Sequence, residues 1–211
     1  MRVSWRIWWV VGLWVAFATM AVAQTANRPA PKQLPAKKYC QSQGGFCFRY
    51  PAAWEMLGEI LGGNGIVVAP TQAQARENWD EVTVALVVPA PQGDEAPVSI
   101  DQAIARAVSR VRESGQDLET VQRQQRRVDD KPAELMKVRY TDKNSGQQWV
   151  EELVFIEGPD SEIYSVGLKC TPSSVARMEP QFSKIVESWT LPEAKPVPPD
   201  EKSQNPIPPK S

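Results

Sequence analysis

Histidine is absent from all 211 residues of the chain, and that absence limits the chemistry available to it. Ser-His-Asp and Cys-His hydrolytic arrangements, and metal sites built on imidazole, are excluded. Ser-Lys pairs, carboxylates and thiols remain. Ser183-Lys184 falls within an apolar-periodic segment that reads as a core-packing helix. Adjacent acids occur at Asp80-Glu81, Asp94-Glu95, Asp129-Asp130 and Glu151-Glu152. Neighbouring side chains on a strand point to opposite faces, so Glu151 and Glu152 do not converge on one substrate bond. Gly58 to Gly65 (GEILGGNG) lacks a Lys-Ser/Thr ending and precedes an apolar strand rather than a helix, the wrong context for cradling phosphate. It reads as a flexible turn before Ile66. No catalytic, cofactor-binding or metal-ligating residue is assigned, and no cofactor is expected.

Cys40, Cys47 and Cys170 are an odd set. Gly44-Gly45 between the first two favours a short loop closed by a Cys40–Cys47 bridge, with the two other pairings as alternatives. Cys170 is then a buried thiol at a strand end. A redox role for it lacks the Cys-x-x-Cys or histidine neighbour that lowers a thiol's pKa, and a three-cysteine metal site lacks the spacing. Trp54, Trp149 and Trp189 sit in core-like patterns. Trp79, in Arg76-Glu77-Asn78-Trp79-Asp80-Glu81, has a polar setting and is either a contact for a protein partner or a cover for the sheet edge.

The cysteine pairing presupposes an oxidising compartment, which the first residues support. Arg2 and Arg6 precede an apolar run from Ile7 to Phe17, and Ala21-Val22-Ala23 fits the small-residue pattern of a signal-peptidase site. Residues 1–23 are expected to be a signal peptide cut between Ala23 and Gln24, the protein being periplasmic or secreted. An uncleaved anchor is the alternative, but Ile7 to Ala23 is at the short end of the roughly 17–25 residues that span a bilayer. No stable membrane anchor is expected after cleavage, and no cysteine follows the cut to carry a lipid. Losing Arg2 and Arg6 removes two positive charges from a formal net charge of −1, leaving −3. That balance argues against a nucleic-acid partner.

Residues 24–38 read as a flexible, proline-containing lead, and 192–211 as a disordered proline-rich tail. A single domain, 39–191, lies between them. Phe46, Phe48 and Tyr50 alternate on a strand that stops at Pro51. Ile66–Ala69 and Val82–Val88 are apolar strand runs. Ser99 to Ser114 switches to helical spacing, with a Ser99/Gln102 capping box and Gly115 as the stop. Arg106, Arg110 and Arg112 lie off its apolar stripe. Four strands follow, over Leu118–Val128, Ala133–Thr141, Gln148–Ile156 and Glu162–Cys170, joined by turns that imply an antiparallel meander. A second amphipathic helix runs from Ser173 to Trp189, capped by Ser173 or Ser174. The fold class is α+β, an antiparallel sheet flanked by two main helices.

Two stretches of this domain resemble a known family. Phe46-Cys47-Phe48-Arg49-Tyr50-Pro51-Ala52-Ala53-Trp54 is similar to the aromatic strand, proline and tryptophan of the fold shared by the photosystem II extrinsic protein PsbP and the nuclear transport factor Mog1. Ile163-Tyr164-Ser165-Val166, with Phe182 and Ile185-Val186-Glu187-Ser188-Trp189, is similar to its last strand and helix. The resemblance covers about residues 45–191. It implies a PsbP/Mog1-like α/β/α sandwich whose members mostly bind other proteins and share no catalytic centre.

The function expected on these grounds is an exported, non-catalytic protein-interaction or accessory module. A binder of a small apolar ligand or lipid between sheet and helix is the second reading, and a carboxylate-based hydrolase the third. Intact and peptide mass spectrometry of the protein recovered from its host without reduction should give Gln24 as the first residue and one disulfide, between Cys40 and Cys47. A product that keeps Met1 contradicts the export assignment.

Overall fold

A computed structural model describes residues 35–41 and 45–191. The signal segment, its Ala23/Gln24 junction, most of the lead and the tail lie outside the described residues. Strands β1 (Ala36–Cys40) and β2 (Cys47–Pro51) form a two-stranded antiparallel sheet. The segment read as a lead therefore ends earlier than expected: Ala36 to Lys38 belong to β1, opposite Pro51 to Arg49. Their alternation is masked because only one strand edge is paired and the side chains stay exposed.

The main sheet has seven strands in the order β3-β4-β5-β9-β8-β7-β6, with every neighbouring pair antiparallel. They are β3 (Glu55–Ile60), β4 (Gly65–Ala69), β5 (Glu81–Val88), β6 (Gly115–Val128), β7 (Lys131–Asp142), β8 (Gln148–Glu157) and β9 (Ile163–Cys170). Strands β6 to β9 form the expected meander. Strand β3 was not expected. Gly58 to Ile60 belong to it rather than to a flexible turn, and the turn is confined to the tight segment Leu61–Gly63. As an edge strand with both faces largely exposed, β3 carries no alternating pattern to read.

Each face of this sheet packs on one long helix. α2 (Ile100–Ser114) is capped by the reciprocal Ser99/Gln102 box and buries Ala103, Ile104, Ala107 and Val111. These pack on Met136, Val138, Tyr140, Leu153 and Phe155. α3 (Val175–Glu187) covers the opposite face. Its Met178, Phe182, Ile185 and Val186 join Trp189 and the aromatic strand β2 over Val82, Val84, Val154, Val166 and Leu168. The period of two assigns the faces: along β9, Tyr164, Val166 and Leu168 turn to α3, while Ser165, Gly167 and Lys169 turn to α2.

A short helix, α1 (Gln72–Asn78), was also unexpected. Its only apolar residues are alanines, yet Thr71 accepts a hydrogen bond from the Gln74 amide, closing its first turn. Thr71-x-x-Gln74 is the capping signature that marks it in the sequence.

Asp80, which follows α1, is fully buried and locks this region to α3. Its Oδ2 accepts from Ser174 Oγ at 3.0 Å and from the Arg177 guanidinium, and Oδ1 meets no donor among the described residues. Ser174 is the expected cap residue of α3, but its hydroxyl serves Asp80 rather than the helix amides. The two charges are unequally placed, since the Arg177 side chain is 48% exposed and that of Asp80 0%. Arg177→Ala strands a buried carboxylate and should cost about 3 kcal/mol. Adding Asp80→Asn removes that charge and should restore part of the loss in a urea titration. Additive losses in the double variant would contradict the pairing.

Candidate functional site

Because α2 lies over β6, β7 and β8, the same face of β9 and β5 is left open alongside it. A groove forms there, made of two connected hollows of about 360 and 210 Å³ that share Val87, Arg110, Leu153 and Ser165. The floor is built of small side chains, Thr83 and Ala85 from β5 with Ser165 and Gly167 from β9. A Cβ at Gly167 would stand 2.7 Å from Leu153 Cδ2, so a larger residue there would displace the leucine methyl that packs on the floor. Leu61, Trp79 and Val87 stand at the rim and are exposed. Arg106 and Arg110 reach it from α2.

Trp79 is 44% exposed and ends α1 in the left-handed conformation, φ 50° and ψ 31°. This is the usual place for glycine, and a bulky side chain there carries local strain of about 1–3 kcal/mol. The surroundings hold it. Its amide donates to Ala75 O at 3.0 Å, and its carbonyl accepts from the Glu81 amide at 2.8 Å. The ring meets buried Trp149 edge-on, with centroids 6.0 Å apart, and Lys169 Nζ lies 4.3 Å from its centre. Trp79 is thus an exposed aromatic surface that also covers Trp149, beside interior strands rather than at the expected sheet edge.

Beneath Trp79, Glu81, Lys169 and Glu151 sit directly opposite one another across β5, β9 and β8. Lys169 Nζ is 3.9 Å from Glu151 Oε1, and Arg110 approaches the other oxygen at 4.0 Å. Tyr140 donates its hydroxyl to Glu151 Oε1 at 2.7 Å, and burial holds that phenol well above its usual range. Burial also raises the Glu81 carboxyl, against the lowering pull of Lys169 and with Glu151 adding to the rise. Glu152 is on the other face, 3.9 Å from Lys137, which also pairs with Glu179. The adjacent acids are therefore separated by the sheet, as their strand parity requires. Glu151, which the sequence singled out only for its neighbour, instead anchors a charged ladder with Glu81 and Lys169. The ladder is set by the register of three strands and is not contained in any one segment of the sequence.

Cys40 and Cys47 are joined by a disulfide across the paired ends of β1 and β2. Cys170 is free and fully buried, its thiol pushed up to about 12 by burial, with Asp80 adding to the rise. It is held in the protonated, unreactive form. Among the described residues no cluster of Cys, Asp and Glu could hold a metal, and no helix is long and apolar enough to cross a membrane. A larger hollow of about 580 Å³ lies between the start of α2 and the β6–β7 hairpin. Of its lining residues, Asp101 and Glu134 are already paired with Arg123, and Arg127 donates to the Asp130 carbonyl.

Fold and groove define a class of protein, an α+β sandwich with an open sheet face and an aromatic residue set at its lip. Residues 35–191 match the PsbP family, and the chain belongs to it. The fold is shared with cyanobacterial PsbP (CyanoP) from Synechocystis sp. PCC 6803, at 12% identity and a TM-score of 0.53, covering 74% of this chain and 92% of that one. LpqN of Mycobacterium tuberculosis, involved in cell envelope biogenesis, matches at 13% identity and a TM-score of 0.49, over 76% of this chain and 93% of its own. The Saccharomyces cerevisiae Ran-binding protein Mog1p matches at 13% and 0.47, over 75% and 96%. No curated protein matches the sequence.

The raised Glu81 carboxyl has a defined sign. A carboxyl whose folded value lies above its ordinary 4.5 contributes stability below that range and loses it as pH rises through the folded value. Glu81→Gln should therefore be more stable than the natural protein at neutral pH in urea titrations, with the gap closing as pH falls through the carboxylate range. A variant less stable at neutral pH would show that the Lys169 attraction outweighs burial.

Proposed function

We propose that this domain is an exported, non-catalytic protein-interaction or accessory module whose partner sits on the open groove with Trp79 as anchor. The observation that carries the reading is the half-exposed Trp79 ring, fixed in a glycine-like conformation by Trp149 and Lys169 at the lip of a small-residue floor. An aromatic ring ordered before binding adds contact area at little entropic cost, which is why interface energy concentrates in such residues. Membership of the PsbP family supports an accessory role. Arg2, Arg6 and the Ala21-Val22-Ala23 site support export.

The apolar end of the groove, lined by Val87, Val88, Ala103, Ala107, Leu153 and Phe155, favours a second reading as a site for a small apolar ligand or lipid. Native mass spectrometry of protein purified from its host distinguishes this reading by extra bound mass.

Two variants separate the ring from the backbone. Trp79→Ala removes the ring and leaves the strained turn, whereas Trp79→Gly removes both. Partner capture by native cross-linking in envelope and culture fractions should fall about tenfold or more in both, as expected for an interface anchor. Trp79→Gly should keep its stability to within about 1 kcal/mol, because relief of strain offsets the lost packing. Undiminished capture by either variant would remove Trp79 from the interface.

A further inference from the structure

β6 is one edge of the seven-stranded sheet and the longest strand, with 14 residues. Register shifts between Gln116 and Glu119 and between Thr120 and Gln122 disturb its first half. From Gln122 to Val128 the pairing with β7 is regular, from Gln122 opposite Lys137 to Val128 opposite Lys131. Pro132 lies opposite Arg127 and has no amide hydrogen to give, which marks that pair as non-hydrogen-bonded. Hydrogen-bonded and non-hydrogen-bonded pairs alternate in an antiparallel ladder, so the pairs at Arg123 and Gln125 are non-hydrogen-bonded as well. The amide and carbonyl groups of Arg123, Gln125 and Arg127 therefore face outward from the sheet, with no strand beyond them among the described residues.

We propose that this half of β6 is a docking edge for an acidic extended segment of a partner protein, which adds to the sheet as a further strand. Gln122 to Val128 (QRQQRRV) carries Arg123, Arg126 and Arg127 and no acid; Arg123 is already paired with Asp101 and Glu134, so Arg126 and Arg127 supply the charge open to a partner. An acidic strand is complementary to it, whereas the same run of a second copy would set arginines against arginines. The other edge of the sheet, β3, does carry Glu55 and Glu59, but it is six residues long and broken by a register shift between Met56 and Gly58. A second copy's β3 is thus the poorer occupant. Strand addition draws affinity from main-chain hydrogen bonds and selectivity from the flanking side chains. This surface is separate from the groove, and the inference stands whether or not Trp79 contacts a partner.

The test uses the full chain and an acetylated, amidated Glu-Val-Glu-Val-Glu-Val-Glu peptide, with the Lys-for-Glu peptide as control. Binding of the acidic peptide should slow amide exchange about tenfold or more at Arg123, Gln125 and Arg127. Gln122, Gln124 and Arg126, already bonded to β7, should be unchanged. Gln125→Pro removes the outward-facing amide and no hydrogen bond to β7, at an edge position where proline is tolerated, so it should stay close to the natural urea midpoint and lose about tenfold or more in peptide affinity. The paired change Arg126→Glu/Arg127→Glu should reverse the preference toward the Lys peptide. Equal binding by Gln125→Pro, uniform exchange protection, no binding of the acidic peptide, or concentration-dependent end-to-end association of the chain without peptide would each overturn the proposal.

Discussion

The constraint on which the rest of the structure depends is the unequal width of its layers. Seven strands about 4.8 Å apart span roughly 29 Å, while a helix with its side chains is about 10 Å across. On the α3 face the deficit is made up by Phe46 and the strand β2 that follows it, which extend the covering layer and pack beside Phe182 and Trp189. On the other face α2 is the only long helix among the described residues, and it takes the β6–β8 side. The β9–β5 part of that face is left open, and the chain places threonine, alanine, serine and glycine there rather than large apolar groups. A shallow groove with a weakly apolar floor is the result.

Three consecutive residues connect this open face to the body of the domain. Trp79 turns its ring to the groove lip, Asp80 turns inward to Ser174 and Arg177 of α3, and Glu81 turns back to the groove beside Lys169. Alternation at the start of β5 gives Asp80 and Glu81 opposite faces. The buried carboxylate on one side and the charged ladder on the other hold the backbone of the turn, and this sustains a left-handed Trp79. Lys169 belongs to both arrangements, as it pairs with Glu151 and lies over the Trp79 ring.

Much of this was legible in the sequence where burial is one-sided. The α2 stripe and its Ser99/Gln102 box, the four-strand meander and the aromatic strand ending in Pro51 follow from period and punctuation alone. Strand β3, helix α1 and the start of β1 did not, because exposed edge strands and a short alanine-faced helix lack an apolar rhythm. Trp79 stood out by its polar neighbours. Its glycine-like backbone and the Glu81–Lys169–Glu151 ladder did not, since both depend on contacts between residues distant in sequence. The docking edge at Arg123, Arg126 and Arg127 was not read from the sequence, because only the sheet order makes β6 an edge.

The central claim is that the open α2 side, rather than the closed α3 side, meets the partner. Site-specific photo-crosslinking in the producing host tests it most directly, with benzoylphenylalanine placed at Val87 on the groove rim or at Lys184 on α3. The account predicts a discrete protein adduct from Val87 and none from Lys184. An adduct from Lys184 with none from Val87 would contradict it.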